Sequence, residues 1–119
     1  MNRKTTMVLA LLMVFTFAGA ASATTFISIA TGGTGGTYYP LGGGMAEIVS
    51  RHAPDLQVTS ETGNASAANI NLIGTHQIEM AMVQNDLAYW AAKGMTPFKE
   101  QYDNLRVVAS LYPEHVQCI

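Results

Sequence analysis

The hydrophobic and polar positions of the chain alternate between two periods, one typical of strands and one typical of helices. Residues 26–30 read FISIA, a short β-branched apolar run that favours a central strand buried on both faces. Residues 56–61 read LQVTSE and alternate like a second strand. MAMV at 80–83 and LRVVASL at 105–111 predict a third and a fourth strand. Strands separated by helical segments predict an α/β lobe with a mainly parallel sheet.

The first predicted helix has an apolar stripe and a stop signal. The stripe recurs at i, i+4, i+7 and i+8, which is typical of a helix packed on a sheet: Leu41, Met45, Ile48 and Val49. Pro54 disfavours helical geometry in the residue before it, so we expect this helix to end near His52.

The second predicted helix follows the turn at residues 62–66, with Asn64 or Ser66 as its N-cap. Three apolar residues bracket this helix and the return to the sheet: Ile70, Ile73 and Ile78. A third helix, LAYWAAK, is predicted with Asp86 as its N-cap and Gly94 just after its end. Trp90 is expected to pack this helix against its neighbours.

The first 23 residues show the three parts of a cleavable export signal. Arg3 and Lys4 give a basic start, and residues 7–17 form an apolar core shorter than the roughly 20 residues that span a bilayer. Ala21-Ser22-Ala23 fits the A-x-A cleavage pattern, so the mature chain is expected to begin at Thr24. The alternative is a buried N-terminal helix. With no cysteine at the cleavage site to accept a lipid, we expect a periplasmic protein that is not tethered.

Charge and cysteine content exclude several classes of partner and cofactor. After the signal, four basic side chains stand against eight acidic ones without any basic cluster, which argues against nucleic acid or anionic lipid. The single cysteine, Cys118, has no partner for a disulfide, so stability must come from a packed core. His52, His76 and His115 are widely separated, and the sequence predicts neither a metal site nor a cofactor.

Residues 31–40, TGGTGGTYYP, carry the strongest chemical signal because they join the first strand to the first helix. Ligands of open α/β sheets bind at the carboxyl ends of strands, and a helix N-terminus favours an anionic group. A P-loop requires a lysine where Thr37 and Tyr38 stand, and the dinucleotide fingerprint requires a glycine at position 38. Both nucleotide sites are therefore excluded, and a loop with glycines only for turning remains the alternative.

TGGTGGTYYPLG, after a strand and a signal peptide, resembles the opening of the TAXI family of solute receptors, which serve TRAP transporters. The likeness continues through ETGNASAANINL, MAMVQNDLAYWA and PFKEQYDNLRVVASLYPEHV. It implies a lobe of the periplasmic binding protein type II class, part of a two-lobed Venus-flytrap receptor. The known ligands of that family are small acidic compounds such as glutamate or related dicarboxylates.

The resemblance implies a substrate-binding site made by three loops. Its residues are Thr34, Gly35, Gly36, Thr37, Tyr38 and Tyr39 in the first loop, Asn64 and Ser66 in the second, and Gln84 and Asp86 in the third. The backbone N–H groups of residues 35–38 and the Thr37 hydroxyl are expected to hold a carboxylate. Tyr38 or Tyr39 would cover the carbon skeleton, and Gln84 offers one donor and one acceptor. Asp86 would pair with an amino group or only cap its helix.

The ten residues include no arginine, the usual bidentate partner of a carboxylate. An arginine would have to come from outside these loops, or the site depends on N–H groups and hydroxyls. Family members continue through a second lobe, whereas this chain ends in the apolar run HVQCI, so we expect residues 24–119 to be a truncated N-terminal lobe. A lone lobe is expected to be weakly stable and to bind solute poorly.

The sequence thus predicts a monomeric periplasmic receptor that captures a small acidic metabolite, such as an amino acid or a dicarboxylate, and docks on TRAP membrane subunits. The alternative is a ligand sensor with the same fold. A hydrolase with Ser66 or Ser110 as nucleophile lacks a G-x-S-x-G elbow and a suitably placed histidine, so we expect no enzyme. Tyr112 and Glu114 are left open as further residues of the cleft.

Overall fold

The structure, a computed structural model, describes residues 23–114. Residues 1–22 and 115–119 lie outside the described residues, and with them most of the predicted export signal, His115 and Cys118. Within the described part, no helix is long and apolar enough to cross a membrane.

Three strands and three helices alternate along the chain. They are β1 (Thr25–Ala30), α1 (Tyr38–His52), β2 (Leu56–Glu61), α2 (Ser66–Gly74), β3 (Met80–Ala81) and α3 (Asn85–Lys93). The sheet order is β2-β1-β3 and both pairs are parallel, with Ala30 opposite Glu61 and Ala81. The predicted α/β lobe with a parallel sheet and a central first strand is confirmed.

The apolar side chains form two clusters. The first joins the sheet to α1 and contains Ile29, Ala46, Val58 and Met82. The second joins α2, α3 and the segment after α3, and contains Ile70, Ala91 and Phe98, with Trp90 packed against it as expected. The first cluster fixes α1 on the sheet, and the second fixes α2 against α3.

The sequence predicted the end of α1 correctly but only half of its buried face. The helix ends at His52, and Met45 and Val49 pack against the first cluster. Leu41 and Ile48 are exposed, whereas the buried residues of α1 are Gly42 and Ala46. Small residues on this face allow a close approach to the sheet, and a search for large apolar side chains does not detect them.

Gly42→Ala and Gly44→Ala are expected to change stability in opposite directions. A methyl group at position 42 would collide with Cγ2 of the fully buried Thr31, which outweighs the better helix propensity of alanine. A methyl group at position 44 meets no atom within 4 Å. In urea unfolding, Gly42→Ala should lose about 1 kcal/mol and Gly44→Ala should gain roughly 0.5–1 kcal/mol. Equal stability of the two variants would contradict the packing of α1.

The predicted fourth strand is wrong. Residues 105–111 form no strand, and Val107 and Val108 are 87% and 79% exposed. A strand forms only where the backbone of a neighbouring strand accepts and donates its hydrogen bonds. In the described part of the chain no strand lies beside this segment, so its β-branched residues alone do not make it a strand.

The predicted N-caps are also wrong, although the predicted end of α3 is confirmed. Ala65 precedes α2 and Gln84 precedes α3, and neither helix start has a side-chain cap. Asp86 instead lies within the first turn of α3, where its Oδ1 accepts the Leu87 N–H at 2.7 Å. Gly94 ends α3 in the left-handed conformation, which glycine adopts without steric cost.

Candidate functional site

Three loops lie at the carboxyl edge of the sheet, each between a strand and the N-terminus of a helix. The first loop is residues 31–37, the second is 62–65 and the third is 82–84. Because the strands are parallel, these loops share one edge. The helix ends that follow them carry partial positive charge, which favours an anion at this edge.

Ser66, the first residue of α2, lies between the third loop and the start of α1. Its Oγ accepts the backbone N–H of Gln84 at 2.9 Å and lies 3.5 Å from the phenol oxygen of Tyr38. The residue is only 3% exposed. The hydroxyl that was predicted to cap α2 therefore joins the third loop to the first residue of α1.

The first loop and the start of α1 contain backbone N–H groups that lack a hydrogen-bond acceptor in the described part of the chain. Gly36 donates its N–H to the Gly33 carbonyl oxygen at 2.9 Å, so one of the four predicted carboxylate donors is used within the turn. The N–H groups of Gly35, Thr37 and Tyr38 have no hydrogen-bond acceptor among the described residues. Gly35 and Thr37 are exposed. Three N–H donors at the start of α1 thus remain for a ligand.

The two adjacent tyrosines have different surroundings. Tyr38 is half-buried, packs against the first cluster, and meets the Tyr112 ring edge-to-face with 6.4 Å between centroids. Tyr39 is exposed. Of the two residues predicted to cover a ligand, Tyr38 is the one that the structure holds in place beside Ser66.

Glu114 lies beside this aromatic pair. The Tyr112 hydroxyl donates to Glu114 Oε1 at 3.0 Å, and burial together with this carboxylate raises the pKa of Tyr112 to about 12. Burial also raises the pKa of Tyr38; the hydrogen bond with Ser66 opposes that rise, and the Glu114 and Asp86 carboxylates add to it. Both phenols are therefore neutral hydrogen-bond donors at neutral pH.

The other predicted site residues lie on the loops without joining this cluster. Thr34, Asn64, Gln84 and Asp86 are all exposed. Within residues 23–114, the side chains of Thr34 and Asn64 make no hydrogen bond. The structure therefore links Tyr38, Ser66 and the Gln84 backbone directly, and leaves the remaining predicted residues as accessible groups around them.

Asn69, a residue of α2 that the sequence did not indicate as part of the site, donates hydrogen bonds to two of the loops. Its Nδ2 donates to the carbonyl oxygens of Thr31 and Met82 at 2.8 and 2.9 Å. The sequence signal was an asparagine inside a predicted helix, where this residue type is unfavourable unless its side chain has a partner.

The structure describes the surroundings of the acidic and imidazole side chains and of the two serines that were considered as nucleophiles. Among residues 23–114, no three His, Cys, Asp or Glu side chains lie close enough to hold a metal ion. The Ser66 hydroxyl contacts an amide and a phenol rather than a histidine. Ser110, the other serine considered as a nucleophile, is exposed in the segment after α3.

The parallel three-stranded sheet with a helix after each strand is that of a small α/β lobe of the periplasmic-binding-protein type. Residues 29–119 match the model of the NMT1-like family. Since the match covers most of the chain, the protein belongs to the NMT1-like family, whose members are solute-binding proteins of the periplasmic or extracellular type and usually not enzymes. The protein thus has a solute-binding role with a small molecule as its ligand.

Proposed function

We propose that this protein is the receptor of a TRAP-type transporter, of the TAXI kind, and that it captures a small acidic metabolite in the periplasm. In this proposal the export signal is removed before Thr24, and the described lobe is one half of a monomeric two-lobed receptor. The four motifs that resemble the TAXI family support this proposal, as does the position of three of them at one edge of the sheet.

The observation that carries the proposal is the group of N–H donors at the start of α1. Gly35, Thr37 and Tyr38 offer three N–H groups without an acceptor in the described part of the chain, next to the positive end of a helix dipole. Backbone donors in this position are suited to a carboxylate. The Thr37 hydroxyl and the neutral Tyr38 phenol supply further hydrogen-bond donors beside them.

A solute that carries an amino group as well as a carboxylate fits the charges of the site best. Asp86 is exposed at the start of α3, and its carboxylate acts electrostatically on Tyr38. None of the ten proposed site residues is basic. We therefore assign the carboxylate of the solute to the first loop and its amino group to Asp86, as in glutamate.

Calorimetric titration of the full-length protein tests this proposal. The probes are L-glutamate, L-glutamine, 2-oxoglutarate and succinate, with glucose as a neutral comparison. We expect saturable binding of at least one carboxylate-bearing probe and a matching rise in melting temperature. Binding of glucose with none of the acids would contradict the proposal. Loss of uptake on deletion of the receptor gene would distinguish a transport receptor from a sensor.

Asp86→Asn is expected to weaken L-glutamate binding about tenfold, which corresponds to ~1.4 kcal/mol. Succinate, which has no amino group, should bind the variant at least as well as the wild type. Glu47→Gln is the matched control, because it removes the same charge on the exposed face of α1, where Glu47 pairs with Arg51. An equal loss of affinity for glutamate and succinate, or no loss, would mean that Asp86 acts only within the first turn of α3 and does not pair with the amino group of the solute.

A further inference from the structure

Asn69 is a fully buried polar side chain directly beneath the three loops. Its Nδ2 group donates to the Thr31 oxygen in the first loop and to the Met82 oxygen in the third, at 2.8 and 2.9 Å. The Ala30 oxygen, at the end of β1, lies 3.4 Å away. One amide group therefore connects the carboxyl ends of β1 and β3.

The second loop contacts the same side chain. A methyl group placed at Gly63 would lie 2.6 Å from Asn69 Oδ1 and 2.5 Å from the Thr31 oxygen. The Gly63 backbone thus packs directly on the amide that binds the other two loops. Ser66, one helical turn before Asn69, binds the Gln84 N–H. The first turns of α2 therefore contact each of the loops that carry the proposed ligand donors.

The hydrogen bonding of Asn69 is incomplete. Its Oδ1 is buried and has no donor among the residues that the structure describes. A buried acceptor without a donor costs free energy and offsets part of what the Nδ2 hydrogen bonds to Thr31 and Met82 contribute. An apolar side chain at this position would leave the Thr31 and Met82 oxygens without this donor, so the role of Asn69 is to bind these two strand-end carbonyls to one amide group.

We propose that Asn69 is the positioning residue of the solute site: its buried amide holds the three loops in the arrangement that aligns their N–H donors. Asn69 does not touch the solute, and its effect on binding passes through Thr31, Gly63 and Met82. The effect of Asn69 on solute affinity rests on the proposed function. Its effect on the amide exchange of the loops does not depend on that function.

Asn69→Leu in the full-length protein tests the proposal, with Ile70→Ala as the control. Ile70 is the next residue of α2 and is also buried, but it packs in the second cluster away from the strand-end carbonyls. Amide hydrogen exchange is compared with that of β1 in each variant. In Asn69→Leu, we expect amide exchange at Gly63 and Gln84 to accelerate at least tenfold more than amide exchange in β1. In Ile70→Ala, we expect exchange at these two amides to change by the same factor as exchange in β1. Should Asn69→Leu not fold, Asn69→Ser, which keeps one donor, serves in its place with the same expectation.

Affinity for L-glutamate gives the second readout, at a temperature where each variant is folded. We expect a loss of about tenfold or more in the Asn69 variant and less than about twofold in Ile70→Ala. Unchanged exchange in the loops would overturn the proposal whether or not any probe binds. Faster exchange with wild-type affinity would also overturn it, because loop position would then not control the site. If no probe binds the wild type, the exchange data alone decide the role of Asn69.

Discussion

Gly63→Ala is expected to lower the free energy of unfolding by about 3 kcal/mol. The added methyl group would lie 2.5 Å from the Thr31 oxygen and 2.6 Å from Asn69 Oδ1. The first is a backbone atom and the second belongs to a buried side chain held by hydrogen bonds, so neither moves away at low cost. The second loop must shift instead, and the shift disturbs the carboxyl edge of the sheet. Urea unfolding followed by circular dichroism measures the loss.

Gly33→Ala is the control for this prediction, because a methyl group at that position meets no atom within 4 Å. Its expected effect is within about 0.5 kcal/mol of wild type. If Gly63→Ala unfolds at the same urea concentration as Gly33→Ala, then the second loop does not pack on Asn69 as described. That result would also remove one of the contacts on which the positioning role of Asn69 depends.

Ala65→Gly is expected to raise the free energy of unfolding by about 1–2 kcal/mol. Ala65 has φ 62° and ψ −163°, a backbone conformation that is essentially restricted to glycine. Glycine at this position relieves the strain and loses part of the gain through the entropy of the unfolded chain. The strained residue immediately precedes α2 in the second loop, where Asn64 and Ser66 are its neighbours. Thermal and urea unfolding both measure the change.

Ala68→Gly provides the comparison in the same helix. Position 68 lies inside α2, where glycine costs about 1 kcal/mol relative to alanine. The two alanine-to-glycine changes should therefore alter stability in opposite directions. Destabilisation by both would show that Ala65 is not strained, and that the second loop needs no special backbone conformation.

The sequence predicted those parts of the fold whose signals are local. The β-branched run of β1, the alternation of β2 and the stop before Pro54 each depend on a few neighbouring residues, and the structure has these elements where they were predicted. Residues 105–111 have an equally strong local signal but form no strand. Pairing depends on a neighbouring strand, which the composition of the segment does not reveal.

The candidate site shows the same division between local and distant information. A glycine-rich turn between a strand and a helix is visible in the sequence, and so are the loops that resemble a known family. The contacts of Asn69 with Thr31 and Met82 span 38 and 13 residues, and no spacing rule indicates them. Tyr112 lies against Tyr38 for the same reason, since only the folded chain brings the two rings together.

The most direct test of the central claim is an amide chemical-shift titration of the ¹⁵N-labelled full-length protein with the acid that binds it in calorimetry. We expect the largest downfield proton shifts at Gly35, Thr37 and Tyr38, because these N–H groups gain a carboxylate acceptor. Saturable binding that leaves these three amides unshifted and perturbs residues away from the carboxyl edge of the sheet would contradict it.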